Sequence, residues 1–280
     1  MSIPDHVGVY GGGRMGAGIA HTFLQSGASV TIVESDEATA AAARVRVEAS
    51  LAKAAERGSL STPLDDVVSR LALTTDADEL DNCALVVEAV PEDVPLKQRV
   101  LTRIEQVAPG ASLATNTSSL SVDVLASVLA RPENFIGLHF FNPVPASELV
   151  EIVVGSDTSS QLVTSAQEWV HDLGKTAITV TDSPGFASSR LGVAIALEAM
   201  RMLEEGVATA EDIDTAMTKG YKHPVGPLRT TDIVGLDVRL AIAEHLSREV
   251  GAHFEPPAIL RAKVANGELG RKAGRGFYVW

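Results

Sequence analysis

The sequence is poor in cysteine and in aromatic residues. Its 280 residues include a single cysteine, Cys83, and aromatic side chains make up 4% of the chain. One cysteine excludes an intramolecular disulfide and provides too few thiolates for a zinc knuckle or an iron–sulfur cluster. With so few aromatic residues, the core must be filled mainly by valine, leucine, isoleucine and alanine.

Basic residues and long apolar runs are also scarce. The chain has 23 lysines and arginines against 36 acidic residues, which gives a formal charge of −13. Because no lysine- or arginine-rich run occurs, nucleic-acid binding is not expected. No apolar segment approaches the length of a membrane-spanning helix, and the first residues lack a basic signal-peptide region. We therefore expect a cytoplasmic protein with no membrane partner.

The order of the predicted elements indicates the fold class. Strand-like and helical segments alternate up to Thr181, and only helical segments follow the Pro- and Gly-containing breaker sequence at residues 182–186. The length allows one large domain and a smaller one. We predict an α/β protein with a Rossmann-type, mostly parallel sheet domain in residues 1–183. An all-helical domain is predicted for residues 184–280.

A strand, a glycine-rich turn and a helix open the chain. The apolar segment 7–10 precedes the turn GGGRMG at residues 11–16, and a second apolar segment ends on Glu34. In such a turn the first glycine makes the bend, the second lets a pyrophosphate approach and the third packs the helix on the strand. Glu34 would accept hydrogen bonds from ribose hydroxyls and repel a 2′-phosphate, so NAD is favoured over NADP. The candidate cofactor residues here are Gly11, Gly13, Arg14, Met15, Gly16 and Glu34.

A histidine and a glutamate lie on two consecutive strand-like segments. His139 ends the apolar run 135–138, and Glu151 lies within the apolar segment 149–154. Two prolines forbid a helix between them, so the second strand could return beside the first and bring the carboxylate to the imidazole. Such a pair would be a tuned base for proton transfer with an alcohol. A histidine with a purely structural hydrogen bond is the alternative.

Two polar clusters suggest ligand sites. Hydroxyl and amide side chains crowd residues 116–121 after a short strand-like segment, and only one of them is needed to cap the next helix. The surplus, Ser118 in particular, could line a site. Ser50, Lys53 and Arg57 share one face of an earlier helix. That face is either a solvated surface or a basic site for a phosphorylated ligand.

Several motifs together resemble those of one family. They are GGGRMG at 11–16, NTSSL at 116–120, GLHFFNPVP at 137–145, DSPGF at 182–186, HPVGPL at 223–228 and GRGFYVW at 274–280. Over essentially its full length the chain resembles the L-3-hydroxyacyl-CoA dehydrogenases, and the bacterial 3-hydroxybutyryl-CoA dehydrogenases are the nearest type. The histidine motif with a glutamate twelve residues later is far more specific than the glycine turn.

The resemblance implies a reaction and roles for individual residues. It implies the reversible, NAD-dependent oxidation of a (3S)-3-hydroxyacyl-CoA to the 3-ketoacyl-CoA, a reaction that requires no metal. The expected substrate is 3-hydroxybutanoyl-CoA. His139 would be the general base, Glu151 would orient it, Ser118 would hydrogen-bond the substrate and Asn142 would hold nicotinamide and substrate near the histidine. Glu92, Lys97 and Asn116 are further cofactor candidates.

The resemblance also concerns CoA binding and assembly. Ser50 and Arg57 fall where the family contacts CoA, which favours a basic site over a solvated surface for the face that they share with Lys53. The helical domain would bind substrate and form a homodimer. Ser189 would contact substrate but departs from the family pattern, which has asparagine there. Because serine is shorter and offers one donor, the acyl-chain preference or the rate could differ.

Other functions stay open at this point. The same architecture could oxidise a dicarboxylic 3-hydroxyacyl-CoA or a free sugar acid of the gulonate type. Outside enzymes, the chain could be a non-catalytic dinucleotide-binding protein of the crystallin kind.

Overall fold

The computed structural model describes residues 3–280, which form two compact units. The first unit ends at Asp182 and the second spans Ser183–Trp280, a boundary one residue before the predicted one. Among the described residues, no helix is both long and apolar enough to cross a membrane.

An eight-stranded sheet forms the centre of the first unit. Its strands are β1 (His6–Tyr10), β2 (Ser29–Val33), β3 (Leu71–Thr74), β4 (Leu85–Glu88), β5 (Ser112–Thr115), β6 (Phe135–Phe140), β7 (Leu149–Val154) and β8 (Thr176–Thr181). They are arranged in the order β3-β2-β1-β4-β5-β6-β7-β8, and every neighbouring pair is parallel except β6 and β7. The predicted mostly parallel Rossmann-type sheet is confirmed. Its strand order reverses between β1 and β4, where open sheets of this kind bind ligands at the carboxyl ends of the strands.

Helices pack against this sheet. They are α1 (Arg14–Gln25), α2 (Glu37–Glu56), α3 (Leu64–Val68), α4 (Val94–Val107), α5 (Val122–Ala126) and α6 (Ser160–Asp172). The core between them is largely aliphatic, joined by Phe23, Phe140 and Trp169. Cys83 is buried, and burial together with the charge of Asp81 raises the pKa of its thiol to about 11.

The sequence pattern predicts a loop or helix start at residues 63–66, where α3 begins, but it gives no sign of strand β3. The strand has four residues, and only Leu71 is fully buried. An alternation this short gives no period-two signal. It is the pairing with β2 that holds these residues extended.

The second unit is helical, as predicted. Its helices are α7 (Ser188–Glu204), α8 (Ala210–Thr215), α9 (Pro227–Val234), α10 (Leu236–Glu249) and α11 (Ala258–Ala265). The sequence pattern predicts one helix near residues 233–249, and this is wrong at its start. Gly235 has a φ of +111°, a conformation that interrupts the helix and separates α9 from α10.

The apolar end of the chain predicts a tail that packs down, and the structure confirms it. Asp232, which is fully buried, accepts hydrogen bonds from the backbone amides of Phe277 and Tyr278 at 2.8 and 2.9 Å. It also accepts one from Trp280 Nε1 at 2.9 Å. One buried carboxylate therefore anchors the last residues to α9.

Candidate active site

The glycine-rich turn connects β1 to α1 in the conformation that its sequence demands. Gly11 has a φ of +98°, which favours glycine. A Cβ atom on Gly16 would lie 1.8 Å from the carbonyl oxygen of Gly11, whereas one on Gly13 would have nothing within 4 Å. Gly16 thus permits close packing of helix on turn, and Gly13 leaves open space for a ligand at the start of α1.

A cavity of about 750 Å³ opens beside this turn, and we call it the glycine-turn cavity. Predicted cofactor residues that line it are Gly11, Gly13, Arg14, Met15 and Glu34. The Glu34 carboxylate, at the end of β2, accepts a hydrogen bond from the Gly12 amide at 2.7 Å. The start of a helix and an acid just after the adjacent strand fit the pyrophosphate and the ribose of NAD.

The other predicted cofactor residues lie outside the lining of the glycine-turn cavity. They are Gly16, Glu92, Lys97, Asn116 and Asn142. Asn116 follows β5, and its Oδ1 accepts a hydrogen bond from the Phe140 amide at 3.0 Å. It thereby ties the end of β5 to the end of β6, beside His139.

His139 and Glu151 face each other across the antiparallel pair β6 and β7. The strand register places their Cα atoms directly opposite one another. His139 Nδ1 lies 2.7 Å from Glu151 Oε2, and the two side chains are 8% and 0% exposed. With a proton on Nδ1, the imidazole donates this hydrogen bond to the carboxylate oxygen, which fixes the orientation of the ring. The predicted approach of carboxylate to imidazole is confirmed.

The loop after His139 carries Asn142 and is held from two sides. Lys175 Nζ donates to the carbonyl oxygens of Val144 and Ser147 at 2.7 and 2.6 Å. Burial lowers the pKa of this ammonium group. On the other side, a Cβ atom on Gly18 would lie 2.9 Å from Val144, so the loop packs directly on α1. Lys175 is a positioning residue that the sequence analysis misses, because only the fold brings it to this loop.

A buried ionic network lies at the carboxyl end of β4. Lys97 is 1% exposed and Glu88 is 0% exposed. The Lys97 ammonium lies 2.7 Å from Glu88 and 3.3 Å from Glu92. Glu88 also accepts a hydrogen bond from the Thr115 hydroxyl at 2.7 Å. The ammonium also donates to the Val90 carbonyl oxygen at 3.1 Å. The assignment of Lys97 to the cofactor stays a prediction.

Glu92 connects this network to the polar loop after β5. Its Oε1 accepts hydrogen bonds from Thr117 Oγ1 at 2.6 Å and from the Ser118 amide at 2.9 Å, and the Ser118 hydroxyl lies 3.3 Å away. Burial opposes ionisation, but the charge of Lys97 and these hydrogen bonds outweigh it, so the pKa of Glu92 lies below its usual value. Glu92 therefore stabilises the fold at pH values above the ordinary glutamate pKa, and this contribution is lost as the pH falls through the lowered pKa.

Replacing Lys97 by methionine should lower the free energy of unfolding by about 3–5 kcal/mol, because Glu88 would remain buried without a counter-charge. Urea denaturation measures this. Arg103→Met is the matched control on the same helix, since Arg103 forms an exposed ion pair with Asp78 and such pairs contribute about 0–1 kcal/mol. Equal losses of unfolding free energy in Lys97→Met and Arg103→Met would contradict the stabilising role of the buried network. Adding Glu88→Gln to Lys97→Met should recover part of the loss.

A second cavity, of about 320 Å³, brings together part of the predicted basic face, and we call it the basic pocket. Its polar lining consists of Arg14, Arg46, Ser50, Lys53 and Asn142. Arg57, the C-cap residue of α2, is exposed and is not among the lining residues. The pocket therefore unites two of the three predicted residues of the α2 face with the loop that follows His139.

Arg46 is a candidate that the sequence analysis misses. It lines both the basic pocket and the glycine-turn cavity, and its Nη1 donates to the Gly12 carbonyl oxygen at 3.3 Å. Its spacing of four residues before Ser50 places it on the same helical face. Extending the face of Ser50, Lys53 and Arg57 by one turn toward the start of α2 would have predicted Arg46.

Ser189 belongs to the second unit, where it lies in the first turn of α7 and is half-buried. Its predicted contact with substrate stays a prediction.

Comparisons with known proteins identify the family of this chain. The family model "3-hydroxyacyl-CoA dehydrogenase, NAD binding domain" matches residues 6–183, and the model of the C-terminal domain of the same family matches residues 185–280. The chain is 40% identical over 281 residues to a 3-hydroxybutyryl-CoA dehydrogenase of Mycobacterium tuberculosis, covering 99% of this chain and 98% of the relative.

Two further proteins show the same likeness. A probable 3-hydroxybutyryl-CoA dehydrogenase of Deinococcus radiodurans is 40% identical over 97% of this chain and 98% of its own. The crystal structure of (S)-3-hydroxybutyryl-CoA dehydrogenase from Ralstonia eutropha superimposes with a TM-score of 0.95 at 38% identity, covering 99% of both chains. The resemblance seen in the motifs is confirmed, and the chain belongs to the 3-hydroxyacyl-CoA dehydrogenase family.

Proposed function

We propose that this protein catalyses the reversible, NAD-dependent oxidation of a (3S)-3-hydroxyacyl-CoA to the 3-ketoacyl-CoA. The observation that carries the proposal is the buried 2.7 Å contact between His139 and Glu151, held by adjacent antiparallel strands. A buried imidazole that is hydrogen-bonded to a carboxylate through one nitrogen can act as the general base that deprotonates an alcohol. The names of the relatives support the substrate class.

His139 would take the hydroxyl proton of the substrate. Because Nδ1 is committed to Glu151, Nε2 is the nitrogen that receives this proton. Glu151, which is fully buried, fixes the tautomer and compensates the positive charge of the imidazolium. Bound NAD supplies the hydride acceptor. In the reverse direction the imidazolium returns the proton to the oxygen at C3.

Ser118 and Asn142 would position the reacting group. Glu92 holds the backbone and the hydroxyl of Ser118, so this hydroxyl has little rotational freedom to lose when it binds the substrate oxygen. Asn142 lies two residues beyond the end of β6 and borders the basic pocket. A rigid loop there would keep nicotinamide and substrate close to the imidazole.

The basic pocket would receive the phosphates of CoA. Three cations, Arg14, Arg46 and Lys53, line it together with the Ser50 hydroxyl. On a chain with a net charge of −13, such a local cluster would offset the repulsion of an anionic substrate. Arg57 would contribute from the end of the same helix.

Replacing Lys53 by glutamate should raise KM for acetoacetyl-CoA about tenfold, since a phosphate would then face an anion in place of a cation, while kcat changes little. Steady-state kinetics at two salt concentrations would measure this, and the effect should shrink at high salt. Arg44→Glu is the matched control, because Arg44 lies on the same helix but pairs with Glu48 outside the pocket. A similar rise in KM for NADH would contradict the assignment of Lys53 to CoA.

We also propose a homodimer formed through the second unit. This unit exposes several large apolar side chains on α7, α9 and α10, namely Leu191, Ile195, Ile233, Val234 and Val238, with 38–63% of each surface accessible. Grouped apolar exposure of this kind marks interfaces in soluble proteins. Light scattering of the intact protein tests the proposal through its mass. The cytoplasmic location stays a prediction.

The decisive test of the reaction is oxidation of NADH or NADPH in the presence of acetoacetyl-CoA. Turnover with NADH, and much less with NADPH, is the expected result, since Glu34 would repel a 2′-phosphate. Activity on gulonate but on no CoA thioester would favour the sugar-acid alternative. Binding of NADH without turnover of any hydroxy acid would favour the non-catalytic alternative.

A further inference from the structure

Two arginines line both the glycine-turn cavity and the basic pocket. Arg14 is the first residue of α1, and Arg46 lies in the middle of α2. Within the described residues 3–280, they are the only residues that border both cavities. Every residue that lines either cavity belongs to the first unit. The site proposed for the dinucleotide and the site proposed for CoA therefore share two cations.

Close packing fixes the position of Arg46 relative to the glycine turn. A Cβ atom on Gly12 would collide with the Cβ atom of Ala43, so the turn lies directly against α2. Arg46 follows Ala43 by three residues and shares its face of the helix. Its Nη1 donates a hydrogen bond to the Gly12 carbonyl oxygen at 3.3 Å. Arg46 is thus anchored at the boundary between the two cavities.

Neither arginine is neutralised by an acidic side chain of the described chain. Arg14 and Arg46 form no ion pair there, and the bond to the turn is the one hydrogen bond of the Arg46 side chain. Arg44, on the same helix, does form an ion pair. Glu34, the acid that lines the glycine-turn cavity, accepts hydrogen bonds from two backbone amides. Both guanidinium groups therefore remain available to anions in either cavity.

The chemistry of a guanidinium group allows one side chain to serve two anions. The group is planar and carries five N–H donors on more than one edge, so it can donate to a phosphate on each side. NAD and acyl-CoA each contain a pyrophosphate. Two such groups in neighbouring cavities would repel each other, because salt screens charges only beyond about 8 Å. A cation between them offsets that repulsion.

Ordering of the two side chains links the two binding events. Arg14 and Arg46 are both exposed, and a ligand that fixes an exposed arginine must overcome the loss of side-chain entropy. The first ligand to bind bears this cost, and the second finds the guanidinium groups already in place. A cost that arises only once for two ligands produces positive cooperativity between them.

We propose that Arg14 and Arg46 contact phosphate groups of the dinucleotide and of acyl-CoA at the same time, so that each ligand raises the affinity for the other. The inference rests on the proposed function, since it requires both ligands to bind in the cavities assigned to them. It concerns the communication between the two sites and not the proton transfer at His139. By thermodynamic linkage, the factor by which NAD raises the affinity for acyl-CoA equals the factor in the opposite direction.

The test measures the Kd for acetoacetyl-CoA by isothermal titration calorimetry, with and without saturating NAD. Both ligands are in their oxidised forms, so no turnover disturbs the measurement. The Kd without NAD divided by the Kd with NAD is the coupling factor. In Arg46→Met and in Arg14→Met this factor should fall by about 5- to 10-fold relative to the wild-type protein. Arg46→Lys should keep most of the affinity for each ligand alone but lose most of the coupling, because an ammonium group is a single point charge.

Two control variants separate coupling from a general loss of positive charge. Lys53 lines the basic pocket but not the glycine-turn cavity. Lys53→Met should therefore weaken acetoacetyl-CoA binding by the same factor with and without NAD, which leaves the coupling factor unchanged. Arg44 lines neither cavity, and Arg44→Met should match the wild-type protein in both Kd values.

The outcomes distinguish this inference from the proposed function. A wild-type coupling factor in Arg46→Met would overturn the inference, whatever the individual Kd values. An equal fall of the factor in Lys53→Met would also overturn it, since the shared position of Arg46 would then be irrelevant. In either case, reduction of acetoacetyl-CoA by NADH would leave the dehydrogenase function standing. Failure of the wild-type protein to bind NAD or acetoacetyl-CoA would overturn both proposals.

Discussion

Replacing His139 by glutamine is expected to lower kcat by about 10²–10⁴-fold, the usual contribution of one positioned base. Glutamine has nearly the reach of histidine and can still hydrogen-bond to Glu151, but it cannot take up a proton near neutral pH. The hydroxyl proton of the substrate would then have to leave to water, which the burial of this side chain restricts. Stopped-flow measurement of a single turnover would isolate the chemical step from product release.

Binding of the dinucleotide should survive the same substitution. The glycine-turn cavity is lined by residues of β1, β2, α1, α2, α4 and the segment after β4, and not by His139. Titration with NADH, followed by fluorescence, should therefore give the wild-type Kd. His171→Gln is the control, because His171 is exposed near the end of α6. Unchanged turnover in His139→Gln would remove the proposed general base.

Replacing Glu151 by glutamine should lower kcat by a similar factor, about 10²–10⁴-fold, although Glu151 touches only the imidazole. A neutral amide cannot compensate the imidazolium, and its nitrogen could turn toward Nδ1 and select the wrong tautomer. The shape of the side chain is retained, so KM for acyl-CoA should change little.

A double variant distinguishes a functional pair from two separate contributions. Because histidine and glutamate act as one unit, adding Glu151→Gln to His139→Gln should cost little further activity. Glu148→Gln, an exposed glutamate just before β7, is the matched control and should behave as wild type. If the fold-losses of kcat in the two single variants multiply in the double variant, Glu151 contributes independently of the imidazole and the proposed pairing is wrong.

Much of the first unit can be predicted from the sequence, because its signals are local. The turn at residues 11–16 demands glycine for conformation and packing within one strand–turn–helix segment, and the structure shows both demands at Gly11 and Gly16. The pairing of His139 with Glu151 is also nearly local. Two prolines exclude a helix between the strands, and the antiparallel return then places the residues opposite each other.

Other features were hidden because they depend on how the elements pack in three dimensions. Only the packing of α4 beside the carboxyl end of β4 shows that Lys97 is buried and lies against the carboxylates of Glu88 and Glu92. Lys175 lies 31 residues from the carbonyl group of Val144 that it binds. Charged side chains are normally exposed, so no pattern in the sequence predicts their burial.

Composition, the glycine turn and the motif around His139 by themselves determined the fold class, the cofactor and the family of this protein, since each depends on residues close together in the chain. Only the tertiary structure decided which charges are neutralised. Glu88, Glu92 and Lys97 satisfy one another, whereas Arg46 remains without an acidic partner in the described chain. The reason is physical: the free energy of a charge depends on its solvation and its neighbours, and both are established only when distant segments pack together.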